Sequence, residues 1–98
     1  MTILTEKKND TLVVAIEGRL DTVTAPELDA EIIAKTEGVT ELVIDMAKIE
    51  YISSAGLRVL LSAHKRMMKV GSMQLVNVGD MVMEVFEMTG FADILNIQ

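Results

Sequence analysis

The chain has no cysteine, no tryptophan, one proline and one histidine. Without cysteine there is no disulfide scaffold, no thiol nucleophile and no Cys-based metal site. His64 alone gives no His–His or His–Cys spacing for a metal. Aromatic residues are limited to Tyr51, Phe86 and Phe91, too few to form a stacking platform for single-stranded nucleic acid. Positive charge is scarce as well: nine Lys and Arg stand against fifteen Asp and Glu, for a net charge of −6. That balance argues against nucleic acid, whose phosphates need a basic footprint, and against anionic membrane surfaces. No apolar run approaches the ~20 residues of a membrane span. The first residues lack the apolar stretch of a signal peptide, so the cytoplasm is the expected location. Gly-x-Gly-x-x-Gly, the P-loop, the Gly-x-Ser-x-Gly elbow and His-Glu-x-x-His are all missing. No catalytic residue, metal site or cofactor is therefore assigned, and the expectation is a protein that binds and is not an enzyme.

What is present is a core-forming composition. Half of the 98 residues are apolar and 24% are charged, which places the chain among folded proteins. No linker, repeat or low-complexity tract divides it, so residues 1–98 are read as one domain. Residues 3–8 and 11–17 are two β-like runs around Asn9-Asp10, a hairpin signal. The second run is almost continuously apolar and suits a strand covered on both faces. Residues 18–23 read as a loop. Thr24-Ala-Pro-Glu27 opens a helix as a capping box with proline in the first turn, and Gly38 is its expected stop. Residues 41–45 form a short strand, and residues 46–54 lie after it and ahead of the long helix. A helix follows from Ser54 to Val70, with Leu57, Leu60, Leu61, His64, Met67 and Met68 on its buried stripe. Residues 73–78 form a strand, Asp80 caps a third helix to about Met88, and residues 95–97 suggest a last edge strand. This order, β-β-α-β-α-β-α with a final short β, predicts an α/β fold whose mixed sheet is mostly parallel.

Ligands of α/β sheets gather at the carboxyl ends of the strands. Two polar segments fall there: Asp21, Thr22 and Thr24 in one loop, and Ser53 and Ser54 ahead of the long helix. The first N–H groups of a helix lack internal acceptors and favour an anion. One serine there can simply be an N-cap, worth ~1 kcal/mol. It can also be where a phosphate is received or attached. A phosphoryl group would add about −1.5 to −2 charges, which the helix dipole tolerates, while sharply altering the surface. Asp21 reads either as a turn aspartate satisfying local N–H groups or as a polar contact beside the serine pair. Arg58, Lys65, Arg66 and Lys69 line one side of the long helix. They read as a solvated basic face, with Arg58 placed to touch a partner or a phosphate. His64 belongs at the core boundary, with no serine or acid in register for a triad. Asp21, Asp45 and Glu50 could hold a cation only if the fold brought them together. The methionines fill the core, and exposed ones within 81–88 would form an adaptable contact patch.

Residues 42–61, Leu-Val-Ile-Asp-Met-Ala-Lys-Ile-Glu-Tyr-Ile-Ser-Ser-Ala-Gly-Leu-Arg-Val-Leu-Leu, resemble the signature of STAS domains, nearest to the bacterial anti-sigma factor antagonists. Gly18-Arg-Leu-Asp21 with Ala25-Pro-Glu-Leu28 resembles the upstream motif of that family. The likeness covers essentially the whole chain. It implies a mixed, mostly parallel sheet of four to five strands flanked by about three to four helices. It also implies partner switching. The unmodified protein binds an anti-sigma factor that is a serine-protein kinase, which frees the sigma factor. Phosphorylation of one serine loosens the complex, and a metal-dependent serine/threonine phosphatase resets it. The resemblance puts the phosphorylated serine at Ser54 and the kinase contact at Asp21. Thr22, Ser53, Gly56 and Arg58 complete the expected partner-binding set. Several family members have aspartate where this chain has Ser53, so the resemblance leaves open which serine is modified. The alternative is a constitutive scaffold or sensor subunit of another complex, without phosphorylation. A small phosphate-handling enzyme using the helix start is a third reading. A monomer is the expected state.

Overall fold

Asn9 turns the chain with φ 57°, a conformation that asparagine tolerates better than most residues. It joins β1 (Thr2–Lys8) to β2 (Thr11–Leu20) in an antiparallel hairpin that pairs Lys8 with Thr11 and Thr2 with Glu17. The chain continues through α1 (Ala25–Lys35), β3 (Glu41–Ile52), α2 (Ser54–Met67), β4 (Ser72–Val76) and α3 (Asp80–Thr89) to a single 3-10 turn at 91–93. This computed structural model describes all residues from Met1 to Gln98. The sheet order is β1-β2-β3-β4, with β2, β3 and β4 mutually parallel. The α/β class, the element order and the mixed sheet agree with the sequence. The anticipated last strand is reduced to one bridge, Leu75 to Ile97.

The sequential strand order decides how the sheet is covered. Right-handed crossovers that always step in the same direction put their helices on the same face. Leu12, Val14 and Ile16 of β2 are buried there with Leu42 and Ile44 of β3 and Leu75 of β4, in one cluster that includes Leu28 and Ile32 of α1, Leu57 and Leu60 of α2, and Phe86 of α3. On the other face Val13, Ala15, Val43 and Val76 are only half-buried. The expectation that β2 is covered on both faces is thus corrected. Its apolar run alternates between a packed and a partly open side. No polar or charged residue is buried.

The strands run further than the sequence suggests. After Ala15 pairs with Asp45 the register slips, and Glu17 pairs with Lys48. Such a bulge adds a residue to one strand and sharpens its twist. The side chain of Asp45 caps the slip by accepting the Ala47 N–H at 3.0 Å and the Asn77 Nδ2–H at 3.0 Å. Pairing resumes, slips once more between Gly18 and Arg19, where Gly18 faces Ile49 and Arg19 faces Tyr51, and continues to Leu20 and Ile52. Residues 18–20, read as part of a loop, and residues 46–52, expected beyond the end of the short strand, are therefore strand. Their polar residues hid the alternation because a bulge inverts which positions face inward.

The helices also end earlier than their glycines suggest. In α1 the Thr36 hydroxyl donates to the Ile32 carbonyl at 2.7 Å, closing the helix before Gly38. α2 stops at Met67, where the Gly71 N–H donates to the Met67 carbonyl at 2.7 Å. A Cβ on Gly71 would stand 1.8 Å from the Thr40 carbonyl oxygen, so only glycine lets this turn pass. The buried stripe of α2 is Gly56, Leu57, Leu60, Ala63 and Met67. Leu61 and His64 are half-buried and Met68 is exposed. The N-cap of α3 is Gly79, with Asp80 the first helical residue.

Candidate functional site

The carboxyl ends of β2, β3 and β4 lie along one edge, so the loops that follow them meet there. The Ser53 N–H donates to the Leu20 carbonyl at 2.9 Å. That bond fixes the start of α2 against the end of β2 and brings the Asp21 loop beside the serine pair, as the sequence anticipates. Gly56 sets how close the helix can come. A Cβ there would meet Leu20 Cγ at 2.7 Å and Ile52 Cγ1 at 3.1 Å. Gly56 is itself buried, so its part in the surface is indirect: it seats the helix that carries the serines.

The two serines differ in access. Ser53 is the N-cap residue, with φ −102° and ψ 175°, but its side chain makes no capping bond. Its Oγ is shut off from solvent and has no partner. Ser54, the first residue of α2, is exposed. It lies in the first turn, where N–H groups have no helical acceptor and the dipole is positive.

Asp21 is held by its own loop. Its Oδ1 accepts the Val23 N–H at 3.0 Å and the Thr24 N–H at 3.1 Å. The Thr24 hydroxyl accepts the Asp21 N–H at 2.9 Å, donates to the Arg19 carbonyl at 2.7 Å and lies 3.1 Å from Asp21 Oδ1. The capping box expected of Thr24 and Glu27 is therefore not formed. Thr24 has helical φ and ψ and no side-chain capping bond, because its hydroxyl is committed to the loop. The Thr24 N–H, above all, holds the Asp21 carboxyl below its ordinary value of 3.8. The Thr24 hydroxyl, the Val23 N–H and the Arg19 guanidinium add to this, while partial withdrawal from water opposes it. The local turn role of Asp21 is thus realised, and Oδ2 is left facing only Arg19 Nε at 3.7 Å.

Thr22 and Arg58 are exposed on the shallow groove between α1 and α2, which Ala25, Asp29, Ala55 and Ser62 also line. The basic helix side does not stay together. Arg66 turns onto Asp29 of α1 at 4.0 Å, Lys69 lies beyond the end of α2, and only Arg58 and Lys65 remain as free surface charges on the helix. Asp21, Asp45 and Glu50 are not brought together, and no three His, Cys, Asp or Glu side chains cluster in a metal-holding group.

Sequence reasoning missed Arg19 and Tyr51. The Arg19 guanidinium stacks 4.3 Å from the centroid of the Tyr51 ring, a cation–π contact, and the two residues are register partners across β2 and β3. The signal was present in the residue types. Finding it required knowing that both segments are strands and how they pair.

A model of the STAS domain matches residues 2–98. The chain belongs to the STAS domain family. The candidate anti-sigma factor antagonist BtrV of Bordetella bronchiseptica is 34% identical over 99% of this chain and 85% of its own length. The anti-sigma-B factor antagonist of Bacillus subtilis is 31% identical over 94% of this chain and 84% of its own. Among solved structures, an anti-sigma factor antagonist from Mycobacterium paratuberculosis superimposes with a TM-score of 0.88 at 29% identity, over 98% of this chain and 83% of that one. These relatives span nearly the whole STAS domain described above, including the loop edge that joins Asp21 to the start of α2. No helix of this STAS domain is long and apolar enough to cross a membrane.

Proposed function

We propose that this STAS protein is an anti-sigma factor antagonist controlled by phosphorylation of Ser54. Unmodified, it binds an anti-sigma factor that is also a serine kinase, and so frees the sigma factor in the cytoplasm. The observation that carries the reading is the difference between the serines: Ser54 is an exposed residue at a helix start, while Ser53 Oγ is enclosed. The kinase transfers the γ-phosphoryl of ATP to Ser54 Oγ. The bond from the γ-phosphorus to the ADP oxygen breaks, a bond to Oγ forms, and the hydroxyl proton passes to a base on the kinase. The phosphoserine is tolerated at the helix start, so the fold persists. The added charge instead changes the surface on which the partner rests. A serine/threonine phosphatase hydrolyses the ester and restores binding.

The topology supports a protein partner over a small ligand. A sequential strand order has no switch point, so the strand ends lack the deep ligand crevice of such folds. The surface there is shallow, built from Asp21 Oδ2, Thr22, Ser54 and Arg58. A partner covering about 800 Å² on each side fits it.

The test is binding of Ser54 variants to the serine kinase anti-sigma factor from the same genome, measured by calorimetry. Ser54→Ala is expected to bind like the wild type and to stay bound when ATP is added. Ser54→Asp is expected to bind about 10²–10³-fold more weakly, a loss of a few kcal/mol. Wild-type affinity in both variants would remove the switch and leave a constitutive scaffold.

A further inference from the structure

Beyond Ser54, the charge and shape of α3 extend the same edge. From Gly71 to the C-terminus there is no Lys, Arg or His, while Asp80, Glu84, Glu87 and Asp93 account for most of the net charge of −6. Neither these acids nor Glu50 enters any ion pair; the ion pairs join Arg19 to Asp21, Lys35 to Glu31, Lys48 to Glu17 and Arg66 to Asp29. Within α3, Met81, Glu84, Val85 and Met88 recur at the spacing that places them on one helix face. Met81 is 69% exposed and Met88 is 80% exposed. Where this face meets the end of β3 there is a slot of about 150 Å³, lined by Glu50, Tyr51, Ile52, Met81, Val82 and Val85. A space of this size accepts one large apolar group; a cavity of similar volume holds benzene. Tyr51 and Ile52 lead directly into Ser53 and Ser54, so the slot adjoins the helix start.

We propose that this slot and the α3 face beside it are the second half of the partner surface. They receive an apolar side chain flanked by Lys or Arg on the protein that docks at Ser54. The inference rests on the partner-switching reading given above. An apolar anchor inside a charged rim is the usual anatomy of an interface, and methionine adapts to what it meets. Charge complementarity selects the occupant. A second copy using the same face would set acid against acid, whereas a basic rim would find Glu50 and Glu84 unpaired.

The two parts of the proposal separate kinetically. Rim charges act mainly on association, and a buried apolar anchor acts mainly on dissociation. The experiment measures binding rates between the full chain and the serine kinase anti-sigma factor from the same genome, at low and high salt. Met81→Ala is expected to speed dissociation about 5–10-fold with association unchanged, and Met81→Leu to restore the wild-type rate. Glu50→Lys combined with Glu84→Lys is expected to slow association about tenfold at low salt, with the difference shrinking at high salt. These side chains are at the surface, so unchanged melting temperatures are expected and exclude loss of fold. Wild-type rates in all three variants, alongside weak binding by Ser54→Asp, would overturn the slot and leave the serine switch standing. Failure of the wild type itself to bind would overturn both. A concentration-dependent dimer lost in Met81→Ala would give the slot to a second copy and overturn the proposed occupant.

Discussion

The Thr24 hydroxyl joins three points of the Asp21 loop: the Asp21 N–H, the Asp21 carboxylate and the Arg19 carbonyl. Thr24→Val keeps the shape and removes all three contacts, and is expected to cost about 1–2 kcal/mol, measured by urea unfolding. It should also let the Asp21 carboxyl titrate nearer to 3.8, read from its carbon chemical shift. The pH dependence has a definite sign. The folded-state value of Asp21 is lowered, so the unfolded chain takes up the proton first and stability rises with pH across that interval. The contribution is complete above about 3.8 and is lost as pH falls through the lowered value. Asp21→Asn removes this contribution, so it is expected to lower stability near neutrality and to flatten the curve in that window, the deficit narrowing as pH falls. Asp21 and Ser54 were legible as candidates because a lone loop acid and a serine before a helical stripe stand out in sequence. The enclosure of Ser53 Oγ was not, because it depends on tertiary packing around the start of α2.

Among the elements, the helices and the first hairpin were readable because their patterns are local. A 3.6-residue stripe and an Asn-Asp turn need no knowledge of neighbours. The ends of β2 and β3 were unreadable because a register slip at Ala15 and Asp45 lies between two paired runs. That slip and a second one between Gly18 and Arg19 together carry Arg19 opposite Tyr51 and bring Leu20 to Ser53. Helix stops were misplaced for a related reason. Thr36 closes α1 with its own hydroxyl, and Gly71 serves the close approach to Thr40, with no left-handed backbone. Gly71→Ala would press its Cβ into the Thr40 carbonyl and is expected to cost about 2–4 kcal/mol or to prevent folding. Gly56→Ala meets the movable ends of Leu20 and Ile52 instead. It is expected to cost about 1–3 kcal/mol, to shift the start of α2 and to weaken partner binding while the protein remains folded. Thermal melts alongside calorimetric titration distinguish these outcomes.

For the whole molecule, sequential strand order places the helices on one face and the loops at the strand ends along one edge. The edge offers a surface more than a pocket, and the charge on it is divided: Arg19 and Arg58 near the serines, unpaired acids along α3. A phosphoryl group can therefore change recognition without touching the core. Ser54→Asp, with its charge at the positive end of α2, is expected to gain about 0.3–1 kcal/mol of stability. In a domain of this size that is a rise of up to several degrees in melting temperature, even as partner affinity falls. Loss of both stability and binding would mean that the substitution acts through the fold. The most direct measurement is intact-mass spectrometry with peptide mapping, after the chain is incubated with ATP and a serine kinase anti-sigma factor that binds it. One phosphoryl group on Ser54, with Ser53 unmodified, is the expected result. Modification of Ser53, or no modification by a kinase that binds, would contradict the account.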